Sequence, residues 1–272
     1  MQYRELTLDD KKKASLDVLF YFHDYCVKNE LVYFLAYGTL IGAVRHKGFI
    51  PWDDDIDIYM PRPDYERFLG SYKNNGSFRL ITCSNDERYM LPWPKLLNEK
   101  TARIIGNGEV DSTGIGIDLF PLDGLPDNIG QAEKAFLKNN DLFLNIVNRF
   151  AYYMNLPSDG LFNKARRITG LLMYKTGILK KLALKCCRTD YCVDYDTAEK
   201  LTCVAGNYSG KMRVLEKKWF KEVLVPFENG SFYIPEGYDG VLRAFYGDYM
   251  KLPSEEQRVS THVDRFIWID EE

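Results

Sequence analysis

No window of eighteen residues in this chain of 272 is free of charged side chains, which argues against a membrane-spanning helix. The opening stretch, MQYRELTLDDKKKASL, lacks the apolar core of a secretory signal. A net charge of −3 provides no basic excess of the kind that holds nucleic acid, so no nucleic-acid partner is expected. None of the six cysteines, Cys26, Cys83, Cys186, Cys187, Cys192 and Cys203, stands in Cys-x-x-Cys spacing. A chain of this length buries a sizeable core without covalent staples, so reduced thiols and a cytoplasmic location are expected. A zinc site from Cys186, Cys187 and Cys192 is disfavoured, because adjacent cysteines point apart and no histidine lies near them in sequence. Internal repeats, low-complexity tracts and Pro/Ser-rich linkers are also missing.

What is present concentrates in residues 37–60, YGTLIGAVRHKGFIPWDDDIDIYM. Asp55 and Asp57 alternate with Ile56 and Ile58, so in a strand the carboxylates share one face and the isoleucines the other. Two carboxylates on neighbouring same-face positions repel. A divalent cation relieves that repulsion, and hard oxygen donors suit Mg²⁺ or Mn²⁺. Gly38-Thr39, upstream, opens a short helical pattern whose free N–H groups suit phosphate oxygens. A phosphate cradle beside metal carboxylates is the equipment of phosphoryl or nucleotidyl transfer, with two ions between Asp55 and Asp57 bridging the donor phosphates. An EF-hand is rejected: it needs glycine where Ile58 stands and glutamate where Asp64 stands. A merely solvated acidic turn leaves the alternation with isoleucine unexplained.

Along the chain, Leu16, Leu19, Phe20, Phe22, His23 and Cys26 mark a helix over 9–29, with Asp9 or Asp10 as its cap. Strands are expected at 31–36, 78–83, 90–97, 102–105 and 114–122, and helices at 39–45, 64–72 and 129–150. Residues 160–188 form one helix, or two joined near Gly170 or Gly177. A helix at 195–205, strands near 221–227 and 231–234, and a helix at 236–246 complete the reading. Asp118 emerges alone from an apolar strand. Asp123, next to Gly124 and Pro126, suits a loop, and Asp53 stands at the strand entrance as support. Arg45 suits either a donor phosphate or the C-terminal dipole of its helix. His46 is a weaker candidate beside it.

Gly-Thr followed by Asp-x-Asp resembles the nucleotidyltransferase fold of the DNA polymerase β type. The longer wording resembles the LicD family: Tyr37 to His46, then Gly48 to Asp57, then Gly116-Ile117-Asp118-Leu119-Phe120-Pro121-Leu122-Asp123, and Tyr246 to Met250 with Leu252-Pro253. The resemblance is carried in three blocks along the chain. The resemblance implies an α/β (α+β) protein whose polymerase β-like core, 1–124, carries a helical insertion at 125–210 and is completed by 211–272. It implies a phosphotransferase moving phosphocholine, or glycerol or ribitol phosphate, from a CDP-alcohol such as CDP-choline to a sugar. The acceptor would be a lipid-linked glycan, a teichoic acid or lipopolysaccharide precursor. A nucleotide-binding regulator without turnover is the alternative of another class. By the same resemblance Asp118 joins Asp55 and Asp57 on the metal and accepts the acceptor's proton. Gly38, Thr39, Arg45, His46, Lys95, Arg258 and His262 are then substrate contacts, Lys95 standing equally well as an exposed strand lysine. A choline head group calls for an aromatic cage, and Tyr37, Trp52, Tyr89, Trp93 and Tyr249 lie beside the motifs.

Residues 161–188 carry eight basic side chains and no acidic one. Lys164, Arg166, Arg167, Lys175, Lys180, Lys181, Lys185 and Arg188 accompany an apolar stripe of Leu161, Ala165, Ile168, Leu172, Leu179, Leu182 and Cys186. The pattern predicts a helix with a buried apolar face and a cationic face, either solvated or lying on the anionic inner surface of a membrane.

Overall fold

The computed structural model describes residues 4–86, 89–105, 108, 110–154, 160–186, 189–205, 211–259 and 264–269. The first helix, α1 (Leu8–Lys28), starts at a capping box. Thr7 Oγ1 accepts the Asp10 N–H, and Asp10 accepts the Thr7 N–H in return. The cap is therefore Thr7, and Asp10 is its reciprocal partner. Ala14, Val18, Leu19, Phe22 and Cys26 form the buried face.

Next come β1 (Phe34–Leu35), α2 (Tyr37–Ile41), a π-helical turn (Gly42–His46), β2 (Ile56–Pro61), α3 (Arg62–Ser71) and β3 (Phe78–Ile81). They are followed by β4 (Lys95–Asn98), β5 (Thr101–Ile104), β6 (Val110–Asp111) and β7 (Gly116–Leu125). The strand expected at 90–97 is reduced to its end, because Pro92 and Pro94 have no N–H to give a ladder. The main sheet is mixed, in the order β1-β2-β7-β4-β3, and only the β2–β7 pairing is parallel. Helix α1 packs on β2, β4 and β7. The fold is thus α+β, as expected.

Helices α4 (Ile129–Leu142), α5 (Asn148–Met154), α6 (Leu161–Lys175) and α7 (Ile178–Cys186) follow, with a second π turn at Phe143–Val147. The break in the basic region falls at Gly177, whose φ of +70° favours glycine. Gly170 stays inside α6. The helix expected at 195–205 does not form. Lys200–Thr202 is instead β8, paired with Asp123–Leu125 of β7 and extended by β9 (Leu215–Glu216). An open edge of β7 outweighs local helix propensity there. The same pairing puts Asp123 in a strand rather than a loop. It is buried, with Arg62 Nε 2.7 Å away.

The hairpin β10 (Glu222–Phe227)–β11 (Gly230–Pro235), helix α8 (Tyr238–Tyr246) and β12 (Arg265–Trp268) close the chain. β12 pairs with β5, which pairs with β6, in a separate small sheet. The C-terminal segment is tied to the motif region at several points. Glu228 at the hairpin turn accepts the Phe49 N–H at 2.8 Å. Arg45 donates to the Tyr249 carbonyl at 2.6 Å, and the Arg258 guanidinium lies 5.9 Å from the centre of the Trp52 ring.

Candidate active site

The parallel register of β2 and β7 places Asp57 opposite Asp118, and the antiparallel register of β4 and β7 places Lys95 opposite the same Asp118. Three strands thus bring acid, acid and base into one row across the sheet. Lys95 Nζ lies 2.7 Å from Asp118 Oδ1. Asp55 lies just before β2, half-buried, whereas Asp57 is buried within it.

The Asp loop is fixed from two sides. Thr39 Oγ1 accepts the Asp57 N–H at 2.9 Å, and the Ala36 N–H donates to the Asp57 carbonyl at 2.8 Å. From α1, Lys11 pairs with the buried Asp54 at 3.2 Å, and Lys12 donates to the Pro51 carbonyl at 2.9 Å. Gly38 has a specific steric reason: a Cβ there would lie 2.8 Å from Asp53 Oδ2. Asp53 therefore closes on the start of α2 because residue 38 has no side chain. Tyr37, immediately before it, has a φ of +42°, a strained conformation for a non-glycine residue. Its ring is wedged among Tyr59, Phe120 and Phe245 at 4.9, 5.2 and 5.1 Å.

Burial raises the Asp57 carboxyl well above the usual carboxylate range. Asp55, Asp118 and Asp53 push it further, and Lys95 opposes them without cancelling them. Burial works against the Lys95 ammonium, but Asp118, Asp55 and Asp57 outweigh it and hold the lysine above its ordinary value. Tyr246, at the end of α8, is 45% exposed, but the enclosure of its hydroxyl, and then Asp57, Asp55 and Asp53, raise the phenol above its ordinary value. A cleft of about 170 Å³ opens beside this group, lined by Asp54, Asp55, Lys95, Asp118, Lys11 and Phe266. A larger cavity lies away from these carboxylates, beside Pro61 at the opposite end of β2.

This donor set fits a hard divalent cation. Asp57 is buried among carboxylates that one lysine does not neutralise, and all the donors are oxygens. Among the described residues no three acidic, imidazole or thiol groups already form a cage.

Of the residues expected from sequence, Asp55, Asp57, Asp118 and Lys95 come together, with Gly38 and Thr39 beside them. Thr39 is buried and its hydroxyl orients Asp57. Arg45 stands at the end of the π turn, its Nε 3.0 Å from His46 Nε2. Burial lowers the basicity of both, and Arg45 lowers His46 further. Arg258 sits over Trp52, next to Asp53. His262 falls outside the described residues. Among the aromatics, Tyr89, Trp93 and Tyr249 are buried and Tyr37 is boxed in by other rings, leaving Trp52 half-buried at the motif. Lys11, Lys12 and Tyr246 were not anticipated. The run Lys11-Lys12-Lys13 carries no signal that it reaches back across forty residues, and only Tyr246's position in the last motif block hinted at it.

Residues 30–146 match the family model described as LicD/FKTN/FKRP, nucleotidyltransferase domain. The chain is 30% identical over 284 aligned residues to the lipopolysaccharide cholinephosphotransferase LicD of Haemophilus influenzae, covering 96% of this chain and 97% of that protein. Shorter matches join it to uncharacterised proteins of Rickettsia typhi and Rickettsia prowazekii. The first is 38% identical over 28% of this chain and 26% of that protein, the second 42% over 23% and 24%. A match along almost its whole length, together with the aspartates gathered by β2 and β7, places this chain in the LicD family.

Proposed function

We propose that this protein transfers phosphocholine from CDP-choline to a sugar hydroxyl of a cell-surface glycan precursor, a lipopolysaccharide or teichoic acid unit, and releases CMP. As a member of this family it is a phosphotransferase. The observation that carries the reading is the pairing of Asp57 with Asp118 on adjacent parallel strands, in a chain similar end to end to a cholinephosphotransferase.

Asp55 and Asp57, with Asp118 beside them, would hold Mg²⁺ or Mn²⁺, on a core of the polymerase β type. When bound there, such an ion would supply Lewis-acid charge to the transferring phosphoryl group and lower the pKa of the attacking alcohol. Asp118 accepts the proton of the sugar hydroxyl as its oxygen bonds to phosphorus. The bond from that phosphorus to the CMP oxygen breaks, and CMP leaves with the bonding pair. Lys95 holds Asp118 in place and adds positive charge near the phosphates. Thr39 fixes the Asp57 backbone, so the carboxylate keeps its aim. Trp52, half-buried at the motif, would take the quaternary ammonium against its ring in place of the Arg258 guanidinium, which stands 5.9 Å from the ring centre.

The test incubates the protein with Mg²⁺ and, separately, CDP-choline, CDP-glycerol and CDP-ribitol. CDP-choline alone should raise thermal stability by mass action. With a glycan acceptor, CMP should accumulate in proportion to enzyme and time. Stabilisation by CDP-glycerol or CDP-ribitol instead would reassign the head group. No CMP with any donor would leave a nucleotide-binding regulator.

A further inference from the structure

The apolar stripe of α6 faces outward. Leu161, Ile168 and Leu172 are 87%, 57% and 60% exposed, and Ala165 between them is exposed as well. At helical spacing these four residues form one line. Lys164 and Lys175, both exposed, lie along its edge, while the buried Gly170 turns toward the protein. The apolar face expected to turn inward therefore points out in α6, beside lysines that are exposed as expected. Only α7 buries its share, through Leu179, Ala183 and Cys186. Lys181 and Lys185 remain exposed on α7, and Lys180 is half-buried.

We propose that this outward face of α6, with the lysines of α7, is a docking surface for an anionic lipid bilayer. A line of aliphatic side chains flanked by lysines is what an interfacial helix needs: the apolar groups enter the headgroup boundary and the ammonium groups meet lipid phosphates. The charge selects the occupant. Residues 161–188 carry eight basic groups and no acidic one, although the chain as a whole is net negative. A second copy docked symmetrically on this face would set like charge against like. Among the described residues no helix is long and apolar enough to cross a membrane, so the contact is peripheral. It goes beyond the transfer reaction and holds whichever head group is moved.

The test is cosedimentation of the full chain with vesicles of phosphatidylcholine alone or mixed with phosphatidylglycerol, without donor or acceptor. Binding should require the anionic lipid and weaken at least about tenfold between about 0.1 and 0.5 M salt. I168D with L172D, and separately K180E with K181E and K185E, should each lower binding at least about tenfold. Circular dichroism should show both variants folded, since the aliphatic pair and Lys181 and Lys185 are exposed and Lys180 half-buried. Release of CMP with a soluble acceptor should be unchanged, which separates this surface from the catalytic reading. Equal binding to neutral vesicles, insensitivity to salt, or full binding by either variant overturns the proposal. So does a lipid-free dimer in ultracentrifugation that I168D with L172D abolishes.

Discussion

Lys95 and Asp118 are register partners on antiparallel strands, and their charged atoms stand 2.7 Å apart. The lysine offsets the charge of Asp118, Asp55 and Asp57. Lys95→Met should therefore destabilise the protein in EDTA by about 2 kcal/mol, below the full cost of breaking a buried pair because both side chains keep some exposure. Saturating Mg²⁺ should recover part of that loss by supplying the missing charge. Urea unfolding with and without Mg²⁺ checks this. An equal loss in both conditions would make the pair purely structural, with no link to the ion.

Asp57→Asn should act in opposite directions on stability and turnover. Its carboxyl is buried and pushed up by Asp55, Asp118 and Asp53, so removing the charge relieves repulsion in the metal-free state. Melting in EDTA should rise or stay level. Transfer should fall at least about a hundredfold, because charge held at the phosphoryl group contributes several kcal/mol. Calorimetry should show Mg²⁺ binding to the parent and little to the variant. A drop below about tenfold would remove Asp57 from the ligand set.

Asp118→Asn separates proton acceptance from binding. Turnover at saturating donor should fall much further than donor affinity, since the proton moves only in the transition state. Equal loss of CDP-choline affinity with unchanged saturated turnover would make Asp118 a binding residue.

How legible this was from sequence depends on the range of each interaction. Alternation of Asp55 and Asp57 with Ile56 and Ile58 is a local signal, so a strand here was readable, but Asp55 falls just before β2 and β2 is buried on both faces, Asp57 included. The pairing of Asp57 with Asp118 spans sixty residues, and only family resemblance brought the two together. Asp123 looked like a loop residue because Gly124 and Pro126 follow it. Its strand exists because β8 arrives from far along the chain, a tertiary event that local propensity does not encode. The α6 stripe shows the limit of periodicity: spacing identifies an apolar face but not whether that face turns inward.

Trp52 is the aromatic left half-buried beside Asp53, with Arg258 over its ring. Trp52→Ala should weaken CDP-choline binding about tenfold, the scale of a partly desolvated cation–π contact. CDP-glycerol, whose head group is neutral, should bind the variant as it binds the parent. Calorimetry with both donors decides: an equal loss for the two would give Trp52 a packing role.

Gly38→Ala tests whether the glycine serves the backbone or the carboxylate beside it. A Cβ at this position would stand 2.8 Å from Asp53 Oδ2, the free end of a side chain that can swing away. Helix propensity alone favours alanine by about 1 kcal/mol, so stability should change little. The displaced Asp53 carboxylate, however, is one of the charges acting on Asp57. Mg²⁺ affinity and turnover should therefore fall together, by about tenfold. A double-mutant cycle makes the cause explicit. With Asp53→Ala already present, Gly38→Ala should have almost no further effect on Mg²⁺ affinity, because the atom it displaces is gone. If the two losses add in full, Gly38 acts through the backbone of α2, and the close approach of Asp53 is incidental.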